Sequence, residues 1–279
     1  MAAISEISAS RQPVSHIPTR SSRAFVPVFR QHTVSVVIPT LNEEKNLPHV
    51  LPLIPNWVHE VILVDGHSTD ATVEVARTLR PDIRIVMQRG RGKGDALRTG
   101  FAAATGDIIV MLDADGSTDP REIPAYVGEL LAGKDFVKGS RVLQGGGTSD
   151  MTLFRHLGHS ALLRLVRLLF GGHYSDLCYG YSAFWTRVLP RLNLDADGFE
   201  IETLMNVRAL QTGLRVAEVP SFEAPRIHGT SHLRTIPDGW RVLKTIVREW
   251  LRPWRAPKTQ ATVPGVALDV TRPVARVQI

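Results

Sequence analysis

Two carboxylates separated by one residue follow an apolar segment near the middle of the chain. Residues 108–112 are continuous and apolar, as in a fully buried parallel strand, and Asp113, Ala114 and Asp115 come directly after them. Because side chains alternate along an extended chain, both carboxylates project to one side. Carboxylates this close repel each other unless a cation or a proton neutralises them. The pattern favours a hard divalent cation, bridging the carboxylates to the phosphates of a nucleotide, over a solvated turn.

Polar segments also follow three neighbouring apolar segments, at the strand ends where open α/β sheets bind ligands. In chain order these are 35–38 followed by P-T-L-N-E, 61–64 followed by D-G-H-S-T-D, and 83–87 followed by R-G-R-G-K-G. A helix is expected to begin near Glu43, in the first of these polar segments. Asp65 is a candidate for binding a base or a ribose, with a turn or a helix cap as the alternative. The glycines and cations of residues 89–94 are compatible with phosphate binding, although the segment is not a Walker sequence. Asp119 before Pro120 is typical of a helix N-cap.

An α/β fold is needed to bring these candidates together. Short apolar segments alternate with helical ones from Val34 to a further strand at residues 136–138, which predicts a mostly parallel sheet with right-handed crossovers. The second half of the chain is irregular, and we expect it to form the acceptor side. Residues 33–255 are predicted to form one domain, and residues 1–32 and 256–279 are predicted to be disordered tails.

Composition narrows the class of protein. The chain has 279 residues, 43% of them hydrophobic and 22% charged, which is enough for one sizeable domain. The net charge of +6 favours an anionic partner such as a nucleotide, a lipid phosphate or a phospholipid. Nucleic acid is a weaker interpretation, because no recognised binding motif accompanies the charge. The single Cys178 excludes an internal disulfide, and without a predicted membrane span or secretion signal we expect a cytoplasmic location.

Seven segments, in order, resemble the family 2 glycosyltransferases of GT-A fold, and within them the dolichol-phosphate mannosyltransferase-like group. The segments are V-V-I-P-T-L-N-E, V-I-L-V-D-G-H-S-T-D, G-K-G-D-A-L-R-T-G, the carboxylate pair of Asp113 and Asp115, V-K-G-S-R, D-L-C-Y-G-Y-S-A-F-W and E-V-P-S-F-E-A-P-R-I-H-G-T-S. The resemblance implies a Rossmann-like, mostly parallel sheet flanked by helices. It also implies inverting transfer of a hexose from a nucleotide-diphosphate sugar to a polyprenyl phosphate, with Mg²⁺ or Mn²⁺ as cofactor.

The same resemblance implies roles for individual residues. The donor would be bound by Pro39, Thr40, Asn42, Glu43, Asp65, Lys93, Asp113, Ala114 and Asp115. The metal would be held by Asp113, Asp115 and Ser117, the last standing where lipid-phosphate relatives have glutamine. The acceptor phosphate would be bound by Arg141, Arg155, Arg226 and His232, the last standing near a lysine of the family pattern.

The acceptor decides whether the reaction needs a general base. A lipid phosphate is already anionic at neutral pH, whereas a hydroxyl of a soluble or growing glycan must lose a proton. The catalytic candidates are Asp115 and Arg141, with Asp176, Glu200 and Glu202 as possible bases. Glu200 and Glu202 are equally suited to the positive end of a helix. A non-catalytic nucleotide-sugar-binding protein and a nucleotidyltransferase are the alternatives from other classes.

Two segments predict basic amphipathic helices. In Leu153–Phe170 we favour packing of the apolar arc on the protein's own core. In residues 240–252 we favour a membrane-interface helix, which would place the protein peripherally at the inner face of the cell membrane. The predicted apolar arc of the second helix is Trp240, Val242, Leu243, Ile246, Val247, Trp250 and Leu251, with Arg241, Lys244, Arg248 and Arg252 opposite.

Overall fold

The computed structural model describes residues 32–149, 152–231 and 233–252. Its strands are β1 Val34–Thr40, β2 Glu60–Asp65, β3 Arg84–Met87, β4 Ile108–Met111, β5 Phe136–Ser140, β6 Gly147–Thr148, β7 Ser182–Trp185, β8 Val216–Pro220 and β9 Phe222–Glu223. Seven of them form a central sheet in the order β3-β2-β1-β4-β7-β5-β8. In this sheet β7 is antiparallel to β4 and β5, and the other pairings are parallel. The short strands β6 and β9 pair separately, and in parallel.

Helices flank the sheet and complete the fold. They are α1 Leu47–Val50, α2 Thr72–Leu79, α3 Lys93–Ala103, α4 Ile123–Leu131, α5 Leu153–Phe170, α6 Leu189–Leu192, α7 Ile201–Gln211 and α8 Thr235–Leu251. The helix α3 packs on β1 and β2, and α4 packs on β5 and β7. The predicted fold class, a mostly parallel α/β sheet flanked by helices, is therefore confirmed.

Local sequence patterns predicted some ends of the strands and helices correctly and others incorrectly. The strand β4 is buried throughout, as its continuous apolar sequence predicted. Asp119 caps the turn after it, because its carboxylate accepts a hydrogen bond of 2.9 Å from the backbone N–H of Arg121. A helix was expected to begin near Glu43, but α1 begins at Leu47. The side chains of Glu43 and Asn46 bond to each other at 2.5 Å, which ties the intervening residues into a loop.

A second apolar cluster joins α5, α7 and α8 beside the sheet. The helix α8 is fixed to α7 by a buried ion pair, in which Arg208 contacts Glu249 at 2.9 Å. This contact turns Val242 and Ile246 of α8 towards the cluster. The apolar arc predicted for residues 240–252 is therefore divided, because only part of it faces the protein.

The rest of that arc, apart from the half-buried Leu243, lies on the outer face of α8. Trp240 and Trp250 are 56% and 55% exposed, and Ile236, Val247 and Leu251 are exposed beside them. No helix within the described residues is long and apolar enough to cross a membrane. The predicted tails fall almost wholly outside the described residues, so their disorder and the domain limits stay predictions.

Candidate active site

A pocket of about 600 Å³ opens at the carboxyl ends of β1, β2 and β4. The residues predicted from sequence that line it are Pro39, Thr40, Glu43, Lys93, Asp113, Ala114, Asp115, Ser117, Arg141, Arg155, Glu202 and Arg226. The predicted residues that lie elsewhere are Asn42, Asp65, Asp176 and Glu200. His232 lies outside the described residues. The pocket thus unites the donor, metal and acceptor candidates at the sheet edge where the sequence predicted them.

Lys93 lies between two carboxylates of the pocket. Its Nζ is 2.6 Å from an oxygen of Asp113 and 2.6 Å from an oxygen of Glu202. Burial alone would lower the pKa of Lys93, but the two carboxylates outweigh it and raise the pKa. Burial also raises the pKa of Asp113 to about 6, against the opposing effect of Lys93. The amine therefore stays charged and neutralises the first carboxylate of the pair.

Gly180 provides the space for this ion pair. A Cβ atom at Gly180 would lie 2.5 Å from Oδ2 of Asp113 and 2.8 Å from Nζ of Lys93. A side chain here would push both charged groups aside, so the glycine of the D-L-C-Y-G-Y segment leaves room for the ion pair.

Arg226 contacts the second carboxylate of the pair. Its guanidinium lies 2.6 Å from Glu43 and 3.4 Å from Asp115, and its Nε donates to the carbonyl of His228. The sequence predicted that Arg226 binds an acceptor phosphate, but in this structure it joins a donor candidate to a metal candidate. The paired carboxylates are thus each in contact with a cation of the protein.

The paired carboxylates fit a divalent cation that takes few protein ligands. Asp113 and Asp115 offer hard oxygen donors at the end of β4, and Asp115 is further fixed by the N–H of Ser117 at 3.0 Å. Among the described residues no group of three or more His, Cys, Asp or Glu side chains is arranged to hold a metal. Mg²⁺ and Mn²⁺ suit such a site, because Mg²⁺ commonly completes its shell with water and substrate phosphate oxygens. The metal roles of Asp113, Asp115 and Ser117 stay predictions.

The glycine-rich loop at residues 89–94 packs on the protein as well as lining the pocket. The N–H of Gly94 donates to the carbonyl of Asp197 at 2.8 Å, and a Cβ at Gly94 would lie within 2.3 Å of the Ala196 carbonyl. Gly92 has a φ of 93°, a backbone conformation in which a residue with a side chain would be strained. These glycines were predicted to let backbone approach phosphates, but what they approach in this structure is the segment 196–198.

Two donor candidates, Asn42 and Asp65, do not line the pocket. Asn42 accepts a hydrogen bond of 2.8 Å from the N–H of Thr69, so it organises the neighbouring loop. Asp65 accepts from the N–H of Ser68 at 3.0 Å through one oxygen, and its other oxygen is buried without a partner in the described part of the chain. This second oxygen can still accept a hydrogen bond, which is compatible with the predicted contact of Asp65 to a base or a ribose.

On the acceptor side, Arg141 is held by two carboxylates. Asp176 binds it in bidentate fashion at 2.6 and 2.8 Å, and Glu223 binds it at 3.0 Å. Burial would raise the pKa of Asp176, but Lys138, Arg141 and His159 outweigh it and hold the pKa well below its usual range. A fully buried, strongly acidic carboxylate outside the pocket is unsuited to accept a proton. The geometry therefore favours a role for Asp176 in positioning Arg141 over the predicted role as a base.

Glu200 and Glu202 have different environments at the start of α7. Glu202 lines the pocket beside Lys93, whereas Glu200 accepts a hydrogen bond of 3.2 Å from the N–H of Gly198 and lies outside it. The geometry thus favours the helix-start role for Glu200 and keeps Glu202 as an active-site candidate.

Glu223 and Cys178 line the pocket near the acceptor candidate Arg141. Glu223 lines the pocket and also accepts from the hydroxyl of Thr148 at 2.6 Å. Nothing in the sequence spacing relates Glu223 to Arg141, so sequence reasoning missed it. Cys178 also lines the pocket, but burial raises the pKa of its thiol to about 11, so it is not a reactive thiolate at neutral pH.

A second cavity, which we call the apolar groove, continues from the pocket between α5 and α8. It has a volume of about 590 Å³ and shares Arg141, Arg155, Cys178, Phe199, Glu202 and Leu233 with the pocket. Beyond these shared residues its walls are mostly apolar and include Leu162, Leu165, Ile236, Trp240 and Leu243. A charged pocket and an apolar groove therefore meet at the two arginines.

Fold and site together define a glycosyltransferase of GT-A fold that uses a nucleotide-sugar donor. The family model described as glycosyl transferase family 2 matches residues 35–191, and the chain belongs to that family.

Similar proteins differ from one another in their acceptors. The chain is 44% identical over 219 residues to an uncharacterised glycosyltransferase of Mycobacterium bovis, covering 75% of this chain and 97% of that one. It is 31% identical over 210 residues to a dolichol-phosphate mannosyltransferase of Pyrococcus furiosus, covering 72% of this chain and 59% of that one. A solved structure with a similar fold is that of glucosyl-3-phosphoglycerate synthase from Mycobacterium tuberculosis, in complex with Mn²⁺, UDP and glucosyl-3-phosphoglycerate. It is 27% identical to this chain in sequence, and the TM-score between the two structures is 0.64. That similarity covers 84% of this chain and 86% of the other.

Proposed function

We propose that this protein transfers a hexose, with inversion, from a nucleotide-diphosphate sugar to a polyprenyl phosphate. The observation that carries the proposal is the continuity of the charged pocket with the apolar groove at Arg141 and Arg155. A polyprenyl phosphate has the matching division into an anionic head and an apolar chain. The similarity to the dolichol-phosphate mannosyltransferase of Pyrococcus furiosus supports the same acceptor class.

In the proposed reaction the protein mainly binds and orients. A Mg²⁺ or Mn²⁺ ion held by Asp113 and Asp115, when bound, supplies Lewis-acid stabilisation of the leaving diphosphate. Arg155 and the fixed guanidinium of Arg141 border the acceptor side, where they would hold the acceptor phosphate in reach of the donor sugar. Because a phosphate oxygen is already anionic, this acceptor needs positioning more than deprotonation.

Filling the apolar groove should reduce sugar transfer to long prenyl phosphates more than to short ones. Gly158 lines the groove on α5, and a Cβ there meets no atom within 4 Å. Gly158→Trp should lower transfer to a long polyprenyl phosphate by more than about tenfold, because displacing two buried CH₂ groups costs roughly 1.6 kcal/mol. Donor hydrolysis should be unchanged. The measurement is label transfer to prenyl phosphates of increasing chain length.

Gly128→Trp is the matched control for this variant. Gly128 is another helical glycine whose Cβ position is open, and it lies on α4 away from the groove. Equal losses in both variants, or an unchanged dependence on chain length in Gly158→Trp, would argue against the groove as the binding site of the chain.

The outer face of α8 supports peripheral binding to an anionic membrane from the cytoplasmic side. Trp240 and Trp250 are exposed there, and Lys244 and Arg248 lie nearby on the same helix. Trp250→Ala should weaken binding to vesicles containing anionic phospholipid by about tenfold, because a large apolar side chain contributes roughly 1.5 to 3 kcal/mol when buried. Co-sedimentation measures this, with Leu79→Ala on α2 as the control. Failure of the unaltered protein to bind such vesicles would count against membrane association.

The decisive test of the acceptor uses purified protein with radiolabelled GDP-mannose or UDP-glucose, Mn²⁺ or Mg²⁺, and a polyprenyl phosphate. Label that enters the organic phase, and is lost on chelation, would support the proposal and identify the donor. Donor hydrolysis without lipid labelling would contradict the lipid acceptor. Donor binding without hydrolysis or transfer to any acceptor would favour a non-catalytic binding protein.

A hydroxyl acceptor is the second candidate, and the carboxylates of the pocket favour it. Glu202 and Glu223 both line the acceptor side, where a general base would be needed. The similarity to a glucosyl-3-phosphoglycerate synthase solved with its product supports a small phosphorylated acceptor of this kind. In the labelling test this function would appear as water-soluble product formed with phosphoglycerate or a glycan.

A further inference from the structure

Each carboxylate of the pair at the end of β4 is in contact with a different cation of the protein. Lys93 lies 2.6 Å from Asp113, and Arg226 lies 3.4 Å from Asp115. Both cations are largely buried, at 12% and 16% side-chain exposure, so water screens these contacts only weakly. A divalent cation that binds the carboxylates must therefore bind against two positive charges already present.

The charges that line the pocket are balanced. Among the described residues that line it, the cations are Arg91, Lys93, Arg141, Arg155 and Arg226, and the carboxylates are Glu43, Asp113, Asp115, Glu202 and Glu223. A divalent cation alone would leave the pocket with two excess positive charges. The diphosphate of a nucleotide sugar, which carries one charge on each phosphate, would alone leave it with two excess negative ones. The two together keep it neutral, which favours their joint binding in a partly buried site.

We propose that Lys93 and Arg226 are resident counterions that weaken binding of the free divalent cation and make it depend on the nucleotide diphosphate. The inference rests on the metal part of the proposed function. It assigns Arg226 a second role besides the acceptor role predicted from sequence, as a positioning residue of the donor half. Because coupling between two ligands is reciprocal, the cation should strengthen diphosphate binding by the same factor.

The backbone around Arg226 keeps its guanidinium on these carboxylates. The N–H of Ile227 donates to the carbonyl of Asp115 at 3.2 Å, and the N–H of His228 donates to the side chain of Asn46 at 2.9 Å. The segment is thus fastened directly after Arg226, to the end of β4 and to the loop before α1. This anchoring means that Arg226→Gln removes the charge while the surrounding main-chain contacts remain.

The test is Mn²⁺ binding, measured by electron paramagnetic resonance and calorimetry, with and without UDP or GDP. In the unaltered protein we expect weak Mn²⁺ binding that the diphosphate strengthens. Arg226→Gln should bind Mn²⁺ alone about tenfold more tightly, because one opposing charge is gone, and should lose most of the strengthening by diphosphate. Lys93→Met should change in the same direction. Arg226→Lys, which keeps the charge, should resemble the unaltered protein.

Arg121→Gln is the control, because Arg121 is an exposed arginine that pairs with Asp119 outside the pocket. Unchanged or weaker Mn²⁺ binding in Arg226→Gln, with normal binding in the unaltered protein, would overturn the counterion role and leave the metal site standing. If the unaltered protein binds no Mn²⁺ with either diphosphate, the metal part of the proposed function fails, and this inference fails with it.

Discussion

Replacement of Asp115 by asparagine should lower sugar transfer by about a thousandfold, because electrostatic stabilisation of the leaving group contributes more to catalysis than most other effects. Asparagine keeps the shape of the side chain and can still accept from the N–H of Ser117, a bond of 3.0 Å in this structure. It loses the charge that a divalent cation requires and that Arg226 contacts. The measurement is kcat for sugar transfer at saturating donor, together with Mn²⁺ binding in the presence of UDP or GDP.

Asp119→Asn serves as the control for Asp115→Asn. Asp119 lies four residues further on and caps the turn through the N–H of Arg121. Asparagine is also a good N-cap, so its transfer rate and stability should change little. If Asp115→Asn transfers sugar at the normal rate, the metal assignment is wrong.

The donor half of the site could be predicted because local sequence determines it. Asp113 and Asp115 follow a buried apolar strand, and in a parallel sheet the carboxyl ends of β1, β2 and β4 meet at one edge. Periodicity and strand ends therefore bring Thr40 and the carboxylate pair together without knowledge of distant contacts. The capping role of Asp119 also depends only on neighbouring residues, so the sequence predicted it.

The acceptor half depends on contacts between distant parts of the chain, which single-sequence patterns do not encode. Glu223 reaches Arg141 because β8 pairs in parallel with β5, with Pro220 beside Ser140, so the residues that follow the two strands meet. Asp176 looked like a possible base because its type suits that role. Its full burial beside Arg141 and Lys138 favours a structural role, and burial is a tertiary property.

The orientation of α8 also could not be predicted from the sequence pattern. Its amphipathic pattern was evident, but the pattern alone does not decide which residues face the protein. The buried guanidinium of Arg208 requires Glu249, and this pair turns α8 so that Trp250 faces outward. The exposed face of α8 therefore depends on contacts with distant parts of the chain, including an ion pair across 41 residues of sequence.

Asp176→Asn should lower the free energy of unfolding by about 3 to 5 kcal/mol, the usual cost of removing one partner from a buried ion pair. The asparagine would leave Arg141 and the fully buried Lys138 without their shared counterion. A loss of this size is a large part of the roughly 5 to 15 kcal/mol that stabilises most domains. Urea unfolding at neutral pH measures it. Asp82→Asn, which changes a carboxylate that is 70% exposed and contacts Arg80 at 3.4 Å, should change stability by less than about 1 kcal/mol.

The same ion pair predicts how the loss depends on pH. The pKa of Asp176 is depressed in the folded protein, so its stabilising contribution is complete above the carboxyl's ordinary value and is lost as pH falls through the folded value. The difference in stability between the unaltered protein and Asp176→Asn should therefore be constant near neutral pH and shrink below about pH 4. A difference that stays constant to lower pH would show that Asp176 acts through packing. A stable Asp176→Asn with normal unfolding but a lost acceptor reaction would instead return the carboxylate to catalysis.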